Sequence, residues 1–185
     1  MKKLFLSVIL AVAMIPAASF AQAPAAAATS MGFAEVSVGF GGMQGDVEGI
    51  DPFLGFNISG FYNVMPNVAV GASIRYQMYS VDSGDASSIM FGVEGRYYFP
   101  INNQMRVYGL AGLGYDMYSI SIDTPLGTVE GDDTAIYIQV GGGVEYALSP
   151  VMSVGGQLRY QLNMWDEGDG DANDWYLGAV FSYKF

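Results

Sequence analysis

The chain has 185 residues, of which 51% are hydrophobic and 14% aromatic, and its 18 acidic residues against seven basic ones give a formal net charge of −11. This acidic balance argues against nucleic acid as a partner, because phosphate backbones are bound by Lys and Arg. Without His or Cys, the chain lacks a disulfide framework and the usual nucleophile–base pairs, so an enzyme is not expected.

The first segment predicts a Sec signal peptide over residues 1–21. Lys2 and Lys3 precede a short apolar run, and small residues then prepare a cleavage site before Gln22. An uncleaved membrane anchor is the alternative, but the apolar run is too short to span a bilayer with its flanks. Residues 22–31 form an Ala-rich N-terminal tether without a pattern, and residues 32–185 form the predicted barrel domain.

Eight segments after the tether alternate between apolar and polar or small residues, which predicts β-strands. They cover residues 32–41, 52–62, 67–80, 88–99, 105–122, 134–148, 151–164 and 174–185. No stretch of eighteen apolar residues follows the leader, so a transmembrane helix is not expected in the mature chain.

Two kinds of connection alternate strictly between these segments. Three are short and contain Pro66, Pro100 or Pro150. Four are longer and acidic, and they fall at about residues 42–51, 81–87, 123–133 and 165–173. Short turns at one end and long loops at the other are typical of outer-membrane barrels. The sequence therefore predicts an all-β fold, an eight-stranded antiparallel up-and-down transmembrane β-barrel.

All nine charged residues within the predicted strands lie on the polar parity, that is, at the alternate positions whose side chains face away from the apolar stripe. An Arg or Lys side chain facing lipid near the midplane costs about 2–4 kcal/mol, so this face is expected to line the lumen. An eight-stranded lumen is just wide enough to be filled by side chains, and glycines on the same face leave room for them. The predicted lumen charge network comprises Glu35, Arg75, Glu94, Arg96, Arg106, Asp116, Glu145, Arg159 and Lys184.

A soluble lipocalin-like barrel would show similar alternation with its faces exchanged. The asymmetry of the proline turns, the aromatic residues at the strand ends and the aromatic C-terminus favour the membrane barrel. The aromatic residues would form girdles at the two membrane interfaces. They are Tyr62, Tyr97, Phe99, Tyr146 and Phe185 at the short-turn end, and Phe40, Trp165 and Trp175 at the loop end.

With its strand pattern and the ending Phe181-Ser-Tyr183-Lys-Phe185, the chain resembles the small eight-stranded outer-membrane proteins of Gram-negative bacteria. These are the OmpA-type transmembrane and OmpX-like barrels, often grouped as the porin family. The resemblance implies a location in the bacterial outer membrane after Sec export and signal-peptide cleavage. It implies outer-membrane lipid and lipopolysaccharide as partners, and an assembly signal at Phe181, Tyr183 and Phe185 for the barrel-assembly machinery.

Fourteen of the 18 acidic residues fall in the four predicted long loops. They are Asp46, Glu48, Asp51, Asp82, Asp85, Asp123, Glu130, Asp132, Asp133, Asp166, Glu167, Asp169, Asp171 and Asp174. Asp169, Asp171 and Asn173 have the one-three-five spacing that opens a calcium loop, although Asp174 and Val180 replace the expected Gly and Glu. A weak divalent-cation site and a solvated acidic loop both remain open, and no other cofactor is expected.

Two functions fit these observations. The first is a filled barrel that serves membrane structure and meets host or surface ligands through acidic extracellular loops. The second is a narrow channel or transporter for small solutes across the outer membrane. The charged, narrow lumen favours the first, and an enzyme ranks third because the chain has no His and no Cys.

Overall fold

The computed structural model describes residues 31–45, 53–81, 84–124, 127–164 and 172–185. These residues form eight strands, and among them no helix is long and apolar enough to cross a bilayer. The strands are β1 Gly32–Gly45, β2 Phe53–Met65, β3 Val68–Val81, β4 Gly84–Pro100, β5 Met105–Thr124, β6 Gly127–Ala147, β7 Met152–Met164 and β8 Ala172–Lys184.

The eight strands close into a barrel in chain order, and each strand is antiparallel to its neighbours. The seam between β1 and β8 runs over thirteen residue pairs, from Phe33 with Lys184 to Gly45 with Ala172. The predicted fold class and strand number are therefore confirmed.

The register determines how strongly the strands tilt. When the paired residues are followed from Ala34 of β1 through each neighbouring strand in turn, the path returns to β1 at Gln44. This is ten residues further along the strand (44 − 34). A shear of ten in eight strands corresponds to a tilt of about 40° and an interior that side chains can fill. This tilt decides which residues meet across the lumen.

The barrel is apolar outside and polar inside. Ile58, Val93 and Leu113 are 65%, 53% and 57% exposed, as are many other large apolar residues on the outer face. Seven predicted lumen charges are at most 3% exposed. They are Glu35, Arg75, Glu94, Arg96, Asp116, Glu145 and Arg159. In water this distribution would be unfavourable, whereas in lipid it places the apolar atoms outside.

Several strands are longer than the sequence predicted, and the loops proposed at residues 42–51, 81–87 and 123–133 are wrong in extent. β1 continues to Gly45, and the changes at the other two loops come from β4, β5 and β6. β4 begins at Gly84, β5 continues to Thr124 and β6 begins at Gly127. Only about 9–11 residues are needed to cross the hydrocarbon, so these strands of 17, 20 and 21 residues continue beyond it. Above the membrane, polar residues are acceptable on both faces of a strand. These strand ends therefore lack the apolar–polar alternation from which strands are predicted.

The short turns at the opposite end are held by side chains that cap the backbone. The Asn102 Oδ1 atom accepts hydrogen bonds from the backbone N–H groups of Gln104 and Met105, both at 2.8 Å. The Ser149 hydroxyl accepts from Val151 and Met152 in the same way, at 3.3 and 3.0 Å. Such local bonds satisfy the backbone in tight turns without secondary structure.

Candidate functional site: the barrel lumen and its extracellular rim

Arg96 organises the half of the lumen nearest the short turns. Its guanidinium donates two hydrogen bonds to the Glu35 carboxylate, at 2.6 and 2.7 Å, and binds Glu94 Oε1 at 2.8 and 3.0 Å. All three side chains are fully buried. Glu35 lies on β1 and Arg96 on β4, so these bonds cross the lumen. Two carboxylates around one guanidinium satisfy its donors and offset much of the cost of burying the charges.

Four aromatic residues on the inward parity surround this cluster. The Phe61 and Tyr108 rings lie 4.0 and 4.7 Å from the Arg96 guanidinium carbon, and Phe61 stacks on Phe33 at 4.7 Å. Tyr98 contacts both Phe33 and Tyr108. The sequence analysis did not assign these rings to the site, although they share the parity of the charges. They exclude water around the ion pairs, which strengthens each one.

A second set of bonds crosses the middle of the lumen. Arg159 of β7 forms an ion pair with Glu94 of β4, and Gln139 donates to the same carboxylate at 3.1 Å. Arg75 of β3 donates to Gln139 Oε1 of β6 at 2.8 Å and to Gln161 Oε1 at 3.3 Å. These bonds join strands two to four apart in the barrel, so the interior is connected in several directions.

The remaining two basic residues of the predicted network lie at the short-turn end and are only half-buried. Arg106 donates to Glu145 Oε2 at 2.7 and 2.9 Å and packs on the Tyr98 ring at 3.9 Å. Lys184 is the last residue of β8 and pairs with Phe33 across the seam. The nine residues therefore do not form one continuous cluster, since Asp116 lies in the opposite half.

Inward glycines make room for the long side chains, as the sequence predicted. A Cβ atom on Gly143 would lie 2.6 Å from the Tyr108 ring and 2.6 Å from the Gly156 carbonyl oxygen. A Cβ on Gly178 would come within 2.6 Å of the Tyr176 ring. These separations are well below van der Waals contact, so the rings occupy the space that the missing side chains leave.

The half of the lumen nearest the long connections is polar but poorly paired. Asp116 accepts from the Ser88 hydroxyl and faces the Gln161 amide nitrogen at 3.5 Å. Asp174 is 1% exposed, yet neither of its carboxylate oxygens has a hydrogen-bond partner among the described residues. Several buried atoms nearby also lack one, namely Gln77 Nε2, Asn163 Nδ2 and Arg75 Nε.

Asp174 is wrongly counted among the loop acids, although the predicted strand 174–185 begins with it. It lies on β8, opposite Gln161 of β7 and Met43 of β1, and points inward. Asn173 likewise lies in β8, whereas Asp169 and Asp171 fall outside the described residues. The loop assignment failed because the acidic, Gly-rich run continues directly into the strand, and alternation begins only at its end.

Five other acidic residues assigned to loops also lie in strands. They are Asp85, Asp123, Glu130, Asp132 and Asp133. Asp85, Glu130 and Asp132 are exposed on the extended ends of β4 and β6, and together with Ser87, Ser119 and Ser121 they line a groove of about 430 Å³. The Ser119 hydroxyl donates to Asp132. These acidic and hydroxyl groups form what we call the acidic wall.

The predicted C-terminal signal lies on the outer face of the last strand and at the chain end. Phe181, Tyr183 and Phe185 are 41%, 49% and 69% exposed. Most of the predicted interface aromatics are exposed in the same way, and Phe40 makes an edge contact with Trp175 at 5.9 Å. Trp165 lies outside the described residues. The apolar surface is thus bordered by aromatic rings, as expected for a protein held between two membrane interfaces.

A closed barrel with an apolar exterior, a charged interior and eight strands defines a small outer-membrane β-barrel protein. The family model of the outer membrane protein beta-barrel domain matches residues 7–185. The chain belongs to this family, and it is located in the bacterial outer membrane. No curated protein matches the chain.

Solved structures show the same fold at low sequence identity. Neisserial surface protein A has a TM-score of 0.65 and 19% identity, with 84% of this chain and 98% of that chain covered. Ail, the attachment invasion locus protein of Yersinia pestis, has a TM-score of 0.51 and 19% identity, with coverages of 82% and 99%. The outer membrane enzyme PagL has a TM-score of 0.51 and 17% identity, again covering 82% and 99%.

Proposed function

We propose that the protein is a filled, non-conducting outer-membrane barrel that serves membrane structure and presents an acidic extracellular surface to cationic partners. The observation that carries the first part is the Arg96 cluster. Its bonds to Glu35 cross the lumen from β4 to β1, its bonds to Glu94 run along β4, and both carboxylates and the guanidinium are fully buried. A solute would have to break these paired charges to pass, and each charge left unpaired in that interior costs several kcal/mol.

The acidic wall supports the second part. Its three carboxylates lie on strands that continue beyond the hydrocarbon, so they face the water above the membrane. Ail has been solved in complex with the heparin analogue sucrose octasulfate, a polyanion. Three exposed carboxylates would repel such a ligand, so the partner of this chain is a cationic surface or a cation-bridged phosphate.

Catalysis is not part of this proposal, although PagL shows that a barrel of this fold can be an enzyme. The chain has no His and no Cys, which removes the bases and thiol nucleophiles that neutral-pH hydrolysis ordinarily uses. The buried carboxylates near Arg96 are engaged in ion pairs rather than positioned beside a nucleophile.

Planar-bilayer recordings test the filled lumen. The purified chain, refolded in detergent and added to both sides of the bilayer, is expected to give no conductance steps. A water-filled porin added to the same bilayer is the positive control for recording. Reproducible steps from the wild-type protein would overturn the proposal and favour the narrow channel.

Binding to immobilised oligolysine tests the acidic wall. The triple variant Asp85→Asn, Glu130→Gln, Asp132→Asn is expected to bind roughly tenfold more weakly at low salt, because attraction between exposed charges is lost. The variant Ser87→Ala, Ser119→Ala, Ser121→Ala alters the same groove without changing its charge and serves as the matched control. If the charge variant binds as well as the wild type, this surface is not the partner site.

A further inference from the structure

The extracellular half of the lumen contains two buried carboxylates without a basic ion-pair partner among the described residues. Among the described residues, the ion pairs of the lumen are Arg96 with Glu35 and Glu94, Arg106 with Glu145, and Arg159 with Glu94. Asp116 and Asp174 take part in none of them. Arg75 of β3 is the basic residue that the strand register places nearest to these two carboxylates. It donates its hydrogen bonds to Gln139, Gln161 and the Met90 sulfur.

The register places the two carboxylates in one layer. Because one circuit of the barrel climbs ten residues over eight strands, each step to the next strand rises by about one residue. Allowing for this climb, Gln77 of β3, Asp116 of β5, Asn163 of β7 and Asp174 of β8 lie at nearly the same height. Gln161 connects the two acids, since its amide faces Asp116 and its backbone pairs with Asp174.

The unpartnered oxygens of Asp174 point to a missing ligand. A buried ionised carboxylate without a hydrogen bond or counter-charge is strongly unfavourable. Tyr79 donates to Gln77 Oε1 at 2.5 Å, and Asn163 Oδ1 accepts from Gln161 at 2.8 Å. Within the part of the chain that the structure describes, Asn163 Nδ2 has no acceptor and neither Asp174 oxygen has a donor, so the Asp174 carboxylate is left without a hydrogen bond.

We propose that this layer binds one hydrated hard cation of the Ca²⁺ type, with Asp174 as its principal ligand and Asp116 as the second negative charge. Carboxylate, amide and hydroxyl oxygens are the ligands such cations prefer. No group of three or more acidic side chains suited to a metal exists among the described residues, so neutral oxygens and water complete the shell. The Arg96 cluster lies between this layer and the short-turn end of the lumen.

Terbium(III) luminescence tests the site, because Tb³⁺ replaces Ca²⁺ and is sensitised by nearby tyrosines such as Tyr79. The refolded wild type in detergent is expected to show saturable emission that Ca²⁺ displaces. Asp174→Asn should weaken Tb³⁺ binding at least about tenfold, since it removes the charged ligand while keeping the shape. Asp132→Asn, which neutralises an exposed acid of the acidic wall, is the matched control and should bind like the wild type.

Thermal unfolding gives a second readout that does not depend on luminescence. Millimolar Ca²⁺ should raise the unfolding temperature of the wild type and of Asp132→Asn, but not that of Asp174→Asn, because a ligand stabilises only the state that binds it. Heat-modifiable migration on gels verifies that each variant is folded. Unchanged Tb³⁺ binding in Asp174→Asn, or no saturable binding in the wild type, would overturn the proposal.

Discussion

The two halves of the lumen differ in how they accommodate buried charged and polar side chains. Near the short turns, Arg96 satisfies Glu35 and Glu94 with bonds of 2.6–3.0 Å, and four aromatic rings enclose the cluster. Near the long connections, Asp174 and Gln77 retain buried polar atoms that have no partner among the residues the structure describes. The first half is thus a finished structural core, whereas the second has capacity for a ligand. Incomplete pairing is expected where a protein sacrifices stability for binding.

The largest expected effect comes from removing Arg96, the central cation of the half nearest the short turns, which we call the paired half. Arg96→Met should lower the free energy of unfolding by about 3–5 kcal/mol, because it leaves the buried Glu35 carboxylate without its counter-charge and Glu94 with Arg159 alone. Arg75→Met is the matched variant, since the hydrogen bonds of Arg75 go to two amide oxygens and a sulfur rather than to carboxylates. It should cost less, about 1–3 kcal/mol.

Urea titration in lipid vesicles, followed by tryptophan fluorescence, measures both variants. Equal losses would mean that the two halves contribute alike and that the distinction between them fails. A smaller loss for Arg96→Met than for Arg75→Met would reverse it.

A smaller effect sharpens the contrast in packing. Gly143→Ala in the paired half should cost about 1–3 kcal/mol, because the new Cβ meets a backbone oxygen at 2.6 Å and the Tyr108 ring. Gly55→Ala in the other half should cost less, since the nearest atom to its Cβ is a side-chain atom of Tyr176 at 2.9 Å, which can move.

Gly95→Ala is the control for both glycine variants, because its Cβ would have nothing within 4 Å. The same urea titration should detect almost no change for it. If Gly95→Ala is as destabilising as Gly143→Ala, then strand propensity rather than lumen packing accounts for the losses.

The sequence was sufficient for the fold because the lipid imposes a strict rule. Within the hydrocarbon every second residue must be apolar, so the parity of Glu35, Arg96 and Arg159 indicates the lumen face directly. Above the membrane the rule no longer holds. Asp85 and Asp132 therefore interrupted the alternation, and the ends of β4 and β6 were taken for loops.

The contacts within the lumen could not be predicted in the same way. Parity shows that Arg96 and Glu35 point inward, but their meeting depends on a shear of ten between strands that are 61 residues apart in sequence. The sequence also could not predict that Asp174 lacks a hydrogen bond among the described residues. That outcome depends on Tyr79 bonding to Gln77 and Asn163 bonding to Gln161. Alternation along one strand shows which side chains point inward, whereas the contacts between them depend on the register of the closed barrel.

The seam between β1 and β8 sets the order of events during assembly. Phe33 pairs with Lys184, which lies 151 residues later (184 − 33), so the barrel cannot close until the last strand has arrived. Until then both edge strands present unpaired backbone groups, which attract other chains and are costly in lipid. Joining such distant segments is also slow. Closure of this one seam therefore pairs the last two free edges of the sheet at once, and it is the step that protects the barrel from association with other chains.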